Sequence, residues 1–539
     1  MSKLFFKFSI LILLIINTSL CYADSLFTLL KPEQSGVYFR NDVKEREDLN
    51  IITEGQNYVY SGSGVAVGDI NKDGLSDILF TSNQNNSTLY LNKGNMQFED
   101  ITLSSNINTK NWCTGAVMAD VNGDGWLDIF ISSYGYPVME TARCWLFINN
   151  KNNTFSEQST EFGISLKNTN VSQVSFFDFD LDGDMDMYAT IYPSKYIDEI
   201  NFDFENRYPN KIGSDKLFEN INNQSFNDIS IKSGILEENA YGLSILTTDI
   251  NNDGWIDIYV ANDFAYNDFL YINQKDGTFK ESIRDFFKHT AFYAMGTDIG
   301  DVNGDMLPDI VELDMTPESN QKYKIDFHEF SFDIYRKTTQ VYMRQEIRNN
   351  LQINLGNNKF IETGQSAGID ATDWSWTPLI RDFNLDGSND IFITNGIKRD
   401  VLNSNYFFWT YDSIRLANNI IDNKNEKMDM LSFVPSMALM NYYYENNGNG
   451  SFKNKAAISG LSQITTSNGA AYADFDLDGD DDLVVNNMDD YAYIYQNNSA
   501  NKNFFSIQVL DKNKLPINNC KYYFYKKKSK ANALTSAKG

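Results

Sequence analysis

The sequence predicts an all-β fold, a seven-bladed β-propeller with Asp-rich calcium loops in the blade hairpins and partly helical insertions. Three observations predict it. A segment with an acidic core recurs seven times, strand-like runs flank each core, and an Asn/Gly-rich second hairpin follows most copies. Two hairpins per repeat make a four-stranded meander, and radial repetition of a meander is the propeller architecture. Seven copies therefore predict seven blades.

The first acidic repeat is GVAVGDINKDGLSDILF at 64–80. The six further copies occupy 115–131, 174–190, 244–260, 296–312, 377–393 and 469–485. Apolar, small and β-branched residues on both sides of each core are typical of short strands around a tight loop. A segment such as LYLNKGNMQFEDIT at 89–102 adds a second hairpin with Asn/Gly turn chemistry.

Each acidic core has the spacing D-x-[DN]-x-D-G-x-x-D, which supplies four oxygen-bearing side chains. The predicted side-chain ligands are Asp69, Asn71, Asp73, Asp77, Asp120, Asn122, Asp124, Asp128, Asp178, Asp180, Asp182, Asp186, Asp249, Asn251, Asp253, Asp257, Asp301, Asn303, Asp305, Asp309, Asp382, Asn384, Asp386, Asp390, Asp474, Asp476, Asp478 and Asp482. The residue two places after the third ligand is predicted to offer its backbone carbonyl. These residues are Leu75, Trp126, Asp184, Trp255, Leu307, Ser388 and Asp480.

So many carboxylates within nine residues repel one another unless a hard cation takes them as ligands. Calcium accepts six to eight oxygens with flexible geometry, whereas magnesium prefers a rigid octahedron. The sequence therefore predicts up to seven Ca²⁺ ions with a mainly structural role. In the fifth copy Met306 replaces the turn glycine, so that loop is expected to be strained or to bind more weakly. EF-hands are excluded because Phe80 and Ile131 stand where a glutamate is required.

The ends of the chain predict its location and its domains. Residues 1–23 read as a secretory signal peptide cleaved near Ala23, with a lipoprotein at Cys21 as the alternative. The expected domains are an N-terminal segment at 24–60 that could close the propeller, the propeller at 61–503, and a C-terminal segment at 504–539. Because its apolar run is too short to span a membrane, the protein is expected to be secreted or on the cell surface, periplasmic or extracellular, without membrane insertion.

Charge and the scarce reactive residues exclude several classes of function. The net charge of −27, which becomes −29 when the two lysines of the signal are removed, argues against nucleic-acid partners. Only two histidines occur, His289 and His328, and neither has zinc-type ligands near it. Cys113 and Cys144 fall in one blade, where they could form a disulfide or remain two buried thiols.

The longest insertions lie within 191–215, 313–350 and 396–440 and are expected on a face of the disc. Aromatic residues near them could stack on sugars or could fill the gaps between blades. These aromatics are Trp374, Trp376, Tyr406, Phe407, Phe408 and Trp409.

Variable loops on a rigid scaffold predict a binding or adhesion module for a glycan or protein ligand. The oligomeric state is left open. No nucleophile elbow, Cys/His pair or phosphate loop occurs, so an enzyme is not expected. The alternatives are a polysaccharide lyase or hydrolase with a histidine base, and a structural partner in an envelope complex.

The acidic cores resemble the FG-GAP and VCBS repeats of integrin-α-type propellers, whose calcium sits in a β-hairpin loop, across nearly all of 60–500. FTLLKPEQSGVYFRND near the amino end, GIDATDWSWTPLIRDFNLDG at 368–387 and ITNGIKRD at 393–400 resemble exported bacterial VCBS-repeat proteins related to cartilage acidic protein and to ASPIC/UnbV proteins. FFSIQVLDKNKLPINN at 504–519 resembles the start of an ASPIC/UnbV domain, which is expected to be truncated here. The resemblance implies extracellular binding, adhesion or surface glycan handling, and supplies no catalytic residue.

Overall fold

The computed structural model describes residues 25–46, 49, 57–135, 141–193, 214–237, 241–264, 266–327, 343–406, 431, 434–499, 525–526 and 529–530. Seven antiparallel sheets with four-stranded blade meanders confirm the seven-bladed propeller. The short helices are α1 Pro32–Ser35, α2 Thr102–Ser105, α3 Ile283–Phe286, α4 Asn320–Asp326 and α5 Gly364–Ala367, with a 3-10 turn at Asn57–Tyr60. None of the described helices has the length and apolar character needed to cross a membrane.

The blades follow one another along the chain. Blade 1 consists of β2 Val65–Gly68, β3 Asp77–Phe80, β4 Thr88–Asn92 and β5 Phe98–Asp100, and blade 2 consists of β6 Trp112–Ala119, β7 Asp128–Tyr134, β8 Trp145–Asn149 and β9 Phe155–Glu157. Blade 3 consists of β10 Val171–Phe177, β11 Asp186–Ile191, β12 Lys216–Ile221 and β13 Ser225–Asp228. Blade 4 consists of β14 Tyr241–Thr248, β15 Asp257–Asp263, β16 Phe269–Asn273 and β17 Phe279–Glu281. Blades 5 and 6 are β19 Thr297–Gly300, β20 Asp309–Glu312, β22 Asn350–Asn354, β23 Phe360–Glu362; and β24 Ser375–Arg381, β25 Asp390–Asn395, β27 Tyr442–Asn446, β28 Phe452–Asn454.

Blade 7 takes its outermost strand from the other end of the chain. Its own repeat supplies β29 Ile464–Ala473, β30 Asp482–Met488 and β31 Tyr493–Asn497, and the fourth strand is β1 Phe27–Leu30. Phe27 pairs with Asn497 and Leu30 with Ile494, antiparallel. The innermost strands pack side by side around the ring, and β29 lies against β2. Hydrogen bonds between the first and last described strands of the propeller therefore close the ring.

Five short strands among the described residues lie outside the blade meanders. β18 Thr290–Ala291 and β21 Gln345–Glu346 form a parallel pair, and β26 Leu439–Met440 pairs with the start of β29. The remaining pair, β32 Tyr525–Lys526 and β33 Ser529–Lys530, lies near the carboxyl end.

The meander topology separates two faces of the disc. In every blade the acidic loop joins the first strand to the second, and the second strand begins at the last aspartate of the motif. Because neighbouring strands run antiparallel, these loops emerge together on one face, here called the loop face. The connections from second to third strands emerge on the opposite face, here called the insertion face. The described parts of all three long insertions belong to the insertion face.

A large apolar cluster joins blades 2 to 7 to the N-terminal segment. Trp374 and Tyr406 belong to it and are only 4% and 5% exposed. The indole N–H of the partly buried Trp376 donates to the carbonyl of Gly396 at 2.7 Å. The predicted stacking platform is therefore wrong for Trp374 and Tyr406, because their rings are packed where a sugar cannot reach. Phe407, Phe408 and Trp409 lie outside the described residues.

The two cysteines of blade 2 are free, fully buried thiols. Cys113 lies in β6 and Cys144 just before β8, so β7 separates them. Two strand spacings place their Cα atoms about 9.6 Å apart, whereas a disulfide needs less than about 7 Å. The disulfide alternative is therefore wrong. Burial raises the pKa of Cys113 to about 11, which keeps this thiol protonated at neutral pH.

Candidate metal centres

Each acidic loop is folded around its first aspartate by backbone N–H groups. In blade 1, Asp69 accepts from the N–H of Asp73 at 3.2 Å and of Gly74 at 2.8 Å. Asp73 in turn accepts from the N–H of Leu75 at 2.9 Å. The same three bonds recur in the other six loops. They turn the carboxylates toward a common centre, with lone pairs left over for a cation.

The sixth position of every loop has left-handed backbone conformation. It is glycine in six loops, but in the fifth it is Met306, with φ of 70°. This conformation costs a residue with a side chain roughly 1–2 kcal/mol. At the equivalent Gly254 an added Cβ would meet no atom within 4 Å, so the cost at Met306 comes from the backbone itself. Strain in the fifth loop, predicted from the sequence, is present, and its weaker metal binding stays a prediction.

Two loops bring three carboxylates close together. The oxygens of Asp178, Asp180 and Asp186 lie within 4.8 Å of one another. The corresponding triad in blade 7 is Asp474, Asp476 and Asp482. Among the described residues these are the two sets of at least three acidic, cysteine or histidine side chains that converge so closely. Hard oxygen donors at this spacing fit a calcium ion.

The other five loops carry asparagine at the third position. In blade 1 the amide oxygen of Asn71 accepts from the N–H of Asp73 at 3.0 Å, inside the loop. The amide nitrogen of Asn71 donates to the Asp73 carboxylate at 3.0 Å. Every predicted side-chain ligand therefore lies in an acidic loop on the loop face. That calcium occupies the loops, and that the backbone carbonyls at the seventh position bind it, stay predictions.

The last aspartate of each motif is buried at the start of the second strand. Burial raises its pKa above the ordinary value, and the neighbouring loop carboxylates raise it further. The pKa is about 7 for Asp77, Asp128, Asp257, Asp309 and Asp390, and about 8 for Asp186 and Asp482. At neutral pH a carboxyl with a pKa of about 7 is therefore about half protonated, and one with a pKa of about 8 is mostly protonated, unless a cation displaces the proton.

A second repeated residue connects the loops of neighbouring blades. It is a buried asparagine at or next to the end of each third strand, and its side-chain N–H donates to a carbonyl in the preceding blade's acidic loop, at 2.8–3.4 Å. The backbone N–H of the same residue donates to the last aspartate of its own loop. These strand-end asparagines are Asn92, Asn149, Asn220, Asn273, Asn354, Asn446 and Asn497.

The acidic motif does not include these asparagines, although they recur in the second-hairpin segments. The period alone could have marked them as repeated. It could not have shown that Asn92 bonds to Phe475, since the two residues lie 383 positions apart. The acidic loops are thus coupled around the whole ring by a residue outside the motif.

Of the two histidines considered as a possible base, the structure describes His289. His289 is packed between Glu362, with Nε2 3.5 Å from Oε2, and Arg348, whose guanidinium lies 3.4 Å from Nε2. His328 lies outside the described residues. The central cavity of about 300 Å³ is bounded by the innermost strands, and none of the described residues that line it is acidic or basic.

A family model described as FG-GAP-like repeat matches residues 69–131, 249–312 and 423–485. No curated protein sequence matches the chain. Three solved structures are similar at low level. A lectin from Agrocybe aegerita, described as recognising non-reducing terminal N-acetylglucosamine, is 14% identical with a TM-score of 0.42, over 78% of this chain and 88% of that one.

The BP39L lectin from Burkholderia pseudomallei is 8% identical with a TM-score of 0.43, over 82% of this chain and 98% of that one. BBS1N in complex with ARL6DN is 6% identical with a TM-score of 0.42, over 88% and 97%. At these values the similarities do not bear on function. The three repeat matches contain acidic loops of a seven-bladed ring, and the chain is therefore an FG-GAP repeat β-propeller.

Proposed function

We propose that this protein is an exported, calcium-binding propeller that acts as a binding or adhesion module for a glycan or protein ligand at the cell surface or outside the cell. The observation that carries the proposal is the different character of the two faces. The loop face holds the seven acidic loops, and the insertion face holds the long connections. Calcium on one face stiffens the disc, and connections of variable length on the other face can be shaped for a ligand.

Two exposed aromatic residues on the insertion face are the best candidates for ligand contact. Tyr491, in the connection between β30 and β31, is 38% exposed, and Tyr38 beside it is 55% exposed. Their ring centroids are 6.5 Å apart in an edge-to-face arrangement, and the Arg40 guanidinium lies 5.1 Å from the Tyr491 centroid. Exposed tyrosine and arginine are the groups that stack on sugars and anchor protein interfaces.

The test combines a glycan array with pull-down from envelope extract, using the calcium-loaded mature protein. The variants are Tyr38→Ala and Tyr491→Ala. The control is Leu355→Ala, which removes a 57% exposed apolar side chain from a turn on the loop face. A defined glycan or protein that binds the control and wild type but not the tyrosine variants supports the proposal. Absence of any ligand, or equal loss in the control, contradicts a ligand site on the insertion face.

We further propose that the protein is not an enzyme. The support is that the described histidine is held by Glu362 and Arg348, and that the loop acids are candidate metal ligands. Purified protein incubated with a panel of polysaccharides is expected to release neither reducing ends nor unsaturated products. Release of either, lost when the protein is unfolded, would restore the lyase or hydrolase alternative. A stable envelope complex with no glycan binding would instead favour the structural-partner alternative.

A further inference from the structure

We propose that the seven loops bind calcium in a fixed order, with blades 3 and 7 loaded first and blades 2 and 4 among the last. This inference rests on the proposed calcium binding and goes beyond it, because the shared motif by itself does not rank the sites of blades 2, 3, 4 and 7. The order follows from charged side chains that differ between loops that are otherwise alike. Two kinds of residue carry it, an additional aspartate in blades 3 and 7 and a lysine in blades 2 and 4.

The seventh position is aspartate only in blades 3 and 7. Asp184 is 7% exposed and Asp480 is 1% exposed. Both carboxylate oxygens of Asp480 and Oδ1 of Asp184 are buried without a hydrogen-bond partner. Burying an acidic group without a partner is costly. A cation in the loop would supply the missing partner.

The oxygens without a partner in these two loops are shielded from the solvent. In blade 7 a further buried oxygen, Oδ1 of Asp476, also lacks a partner. Bulk water therefore cannot supply the partner that these buried carboxylate oxygens lack.

Blades 3 and 7 are also the two blades in which three loop carboxylates converge within 4.8 Å. With the seventh position included, each of these loops carries five aspartates, against three aspartates and one asparagine in the motif of the other loops. Calcium affinity rises with the number of charged ligands and with the rigidity of the site. Burial, missing partners, convergence and charge therefore all single out the same two loops.

In blades 2 and 4 a lysine already occupies the edge of the loop. Lys151 Nζ lies 3.2 Å from Oδ2 of Asp124, and Lys275 Nζ lies 3.2 Å from Oδ2 of Asp253. Both aspartates are predicted calcium ligands. An ammonium group there competes with calcium for the carboxylate and adds a like charge beside the ion. Asn222 and Ser499 stand at the corresponding turn positions of blades 3 and 7, so those loops have no such competitor.

Two tryptophans allow metal binding to the acidic loops of blades 2 and 4 to be followed by luminescence. Trp126 and Trp255 lie inside the acidic loops of blades 2 and 4, at the seventh position. Terbium replaces calcium at oxygen sites, and its emission on selective tryptophan excitation reports metal near Trp126 and Trp255, including metal in the blade 1 loop, whose Lys72 lies 4.9 Å from the Trp126 ring. We expect the first two equivalents of bound terbium, counted by mass spectrometry, to produce little emission. Lys151→Ala together with Lys275→Ala should shift the rise in emission to lower metal concentration, with Lys93→Ala as the control because that lysine pairs with Glu99 outside the loop.

The early sites are tested by exchanging the seventh residue. Asp480→Ser should raise the calcium concentration needed to protect the blade 7 loop in hydrogen exchange by at least about tenfold. The reciprocal change, Ser388→Asp in blade 6, should lower it for that loop. Melting in saturating calcium checks that each variant folds.

Equal affinities in all seven loops, or an unchanged blade 7 loop in Asp480→Ser, would overturn the proposed order while leaving calcium binding intact. Absence of bound metal from every loop would instead contradict the proposed function itself. The two failures are therefore distinguishable in the same titration.

Discussion

Replacing Asn92 by alanine should destabilise the propeller at the junction of blades 1 and 7. The Asn92 amide N–H group donates to Phe475 at 2.9 Å and to Ser76 at 3.1 Å, and its oxygen accepts from the N–H of Gly94 at 2.8 Å. The residue is 1% exposed, so water cannot replace these bonds.

Each of the three bonds contributes about 1 kcal/mol net, so the alanine variant should lose about 3 kcal/mol. Unfolding entropy is about 2.1 cal/mol/K per residue, or about 0.9 kcal/mol/K for a domain of about 440 residues, so the Tm should fall by about 3 °C. Asn92→Asp should be at least as damaging, because a carboxylate would then face the two carbonyl oxygens that now accept from the amide.

Calorimetry in saturating calcium measures these shifts, with the exposed Asn86→Ala as the control. If Asn92→Ala lowers the Tm no more than Asn86→Ala does, the strand-end asparagines do not couple the blades. An Asn92→Asp variant as stable as the wild type would show that the donated bonds contribute nothing. The same pair of substitutions at Asn149, which bonds to blade 1, extends the test to a junction within the chain.

Three further predictions concern the metal loops and the thiols. The pKa of Asp482 is about 8 in the fold against an ordinary 3.8, so the metal-free protein should lose stability as the pH rises from about 4 to about 8. Calcium binds the ionised carboxylate, so the difference in Tm between calcium and EGTA should grow from about pH 6 to about pH 9. A difference in Tm that shrinks over this interval would contradict the prediction. Met306→Gly should stabilise the protein by about 0.5–1 kcal/mol in urea unfolding, and Gly254→Met should destabilise it, because only the glycine accepts the left-handed backbone without strain. Reduction should leave the mass and the Tm unchanged, since Cys113 and Cys144 are separated by β7; a gain of two hydrogens per chain would reveal the disulfide.

Much of the fold could be read from the chain because each blade is built from local hairpins. The motif from Asp69 to Asp77 marks both a turn and the start of the next strand, and its seven occurrences give the number of blades. The strained Met306 was visible for the same reason: the conformation of a tight loop depends on the residues inside it. Local spacing also placed the predicted side-chain ligands together on one loop in each blade.

Contacts between distant segments could not be read in this way. The residues of Phe27–Leu30 do not indicate that this strand pairs with β31. The residues next to Trp374 do not indicate that other blades cover its ring. The bond from Asn92 to Phe475 likewise joins opposite ends of the propeller.

The sequence by itself thus determined the number of blades and the position of the acidic loops, because both depend on residues close together in the chain. Only the tertiary structure decided which strand completes blade 7, which aromatics are buried and which loop carboxylates, such as Asp480, lack a partner. The pairing of Phe27–Leu30 with blade 7 joins residues that are hundreds of positions apart, and period and composition carry no record of such contacts.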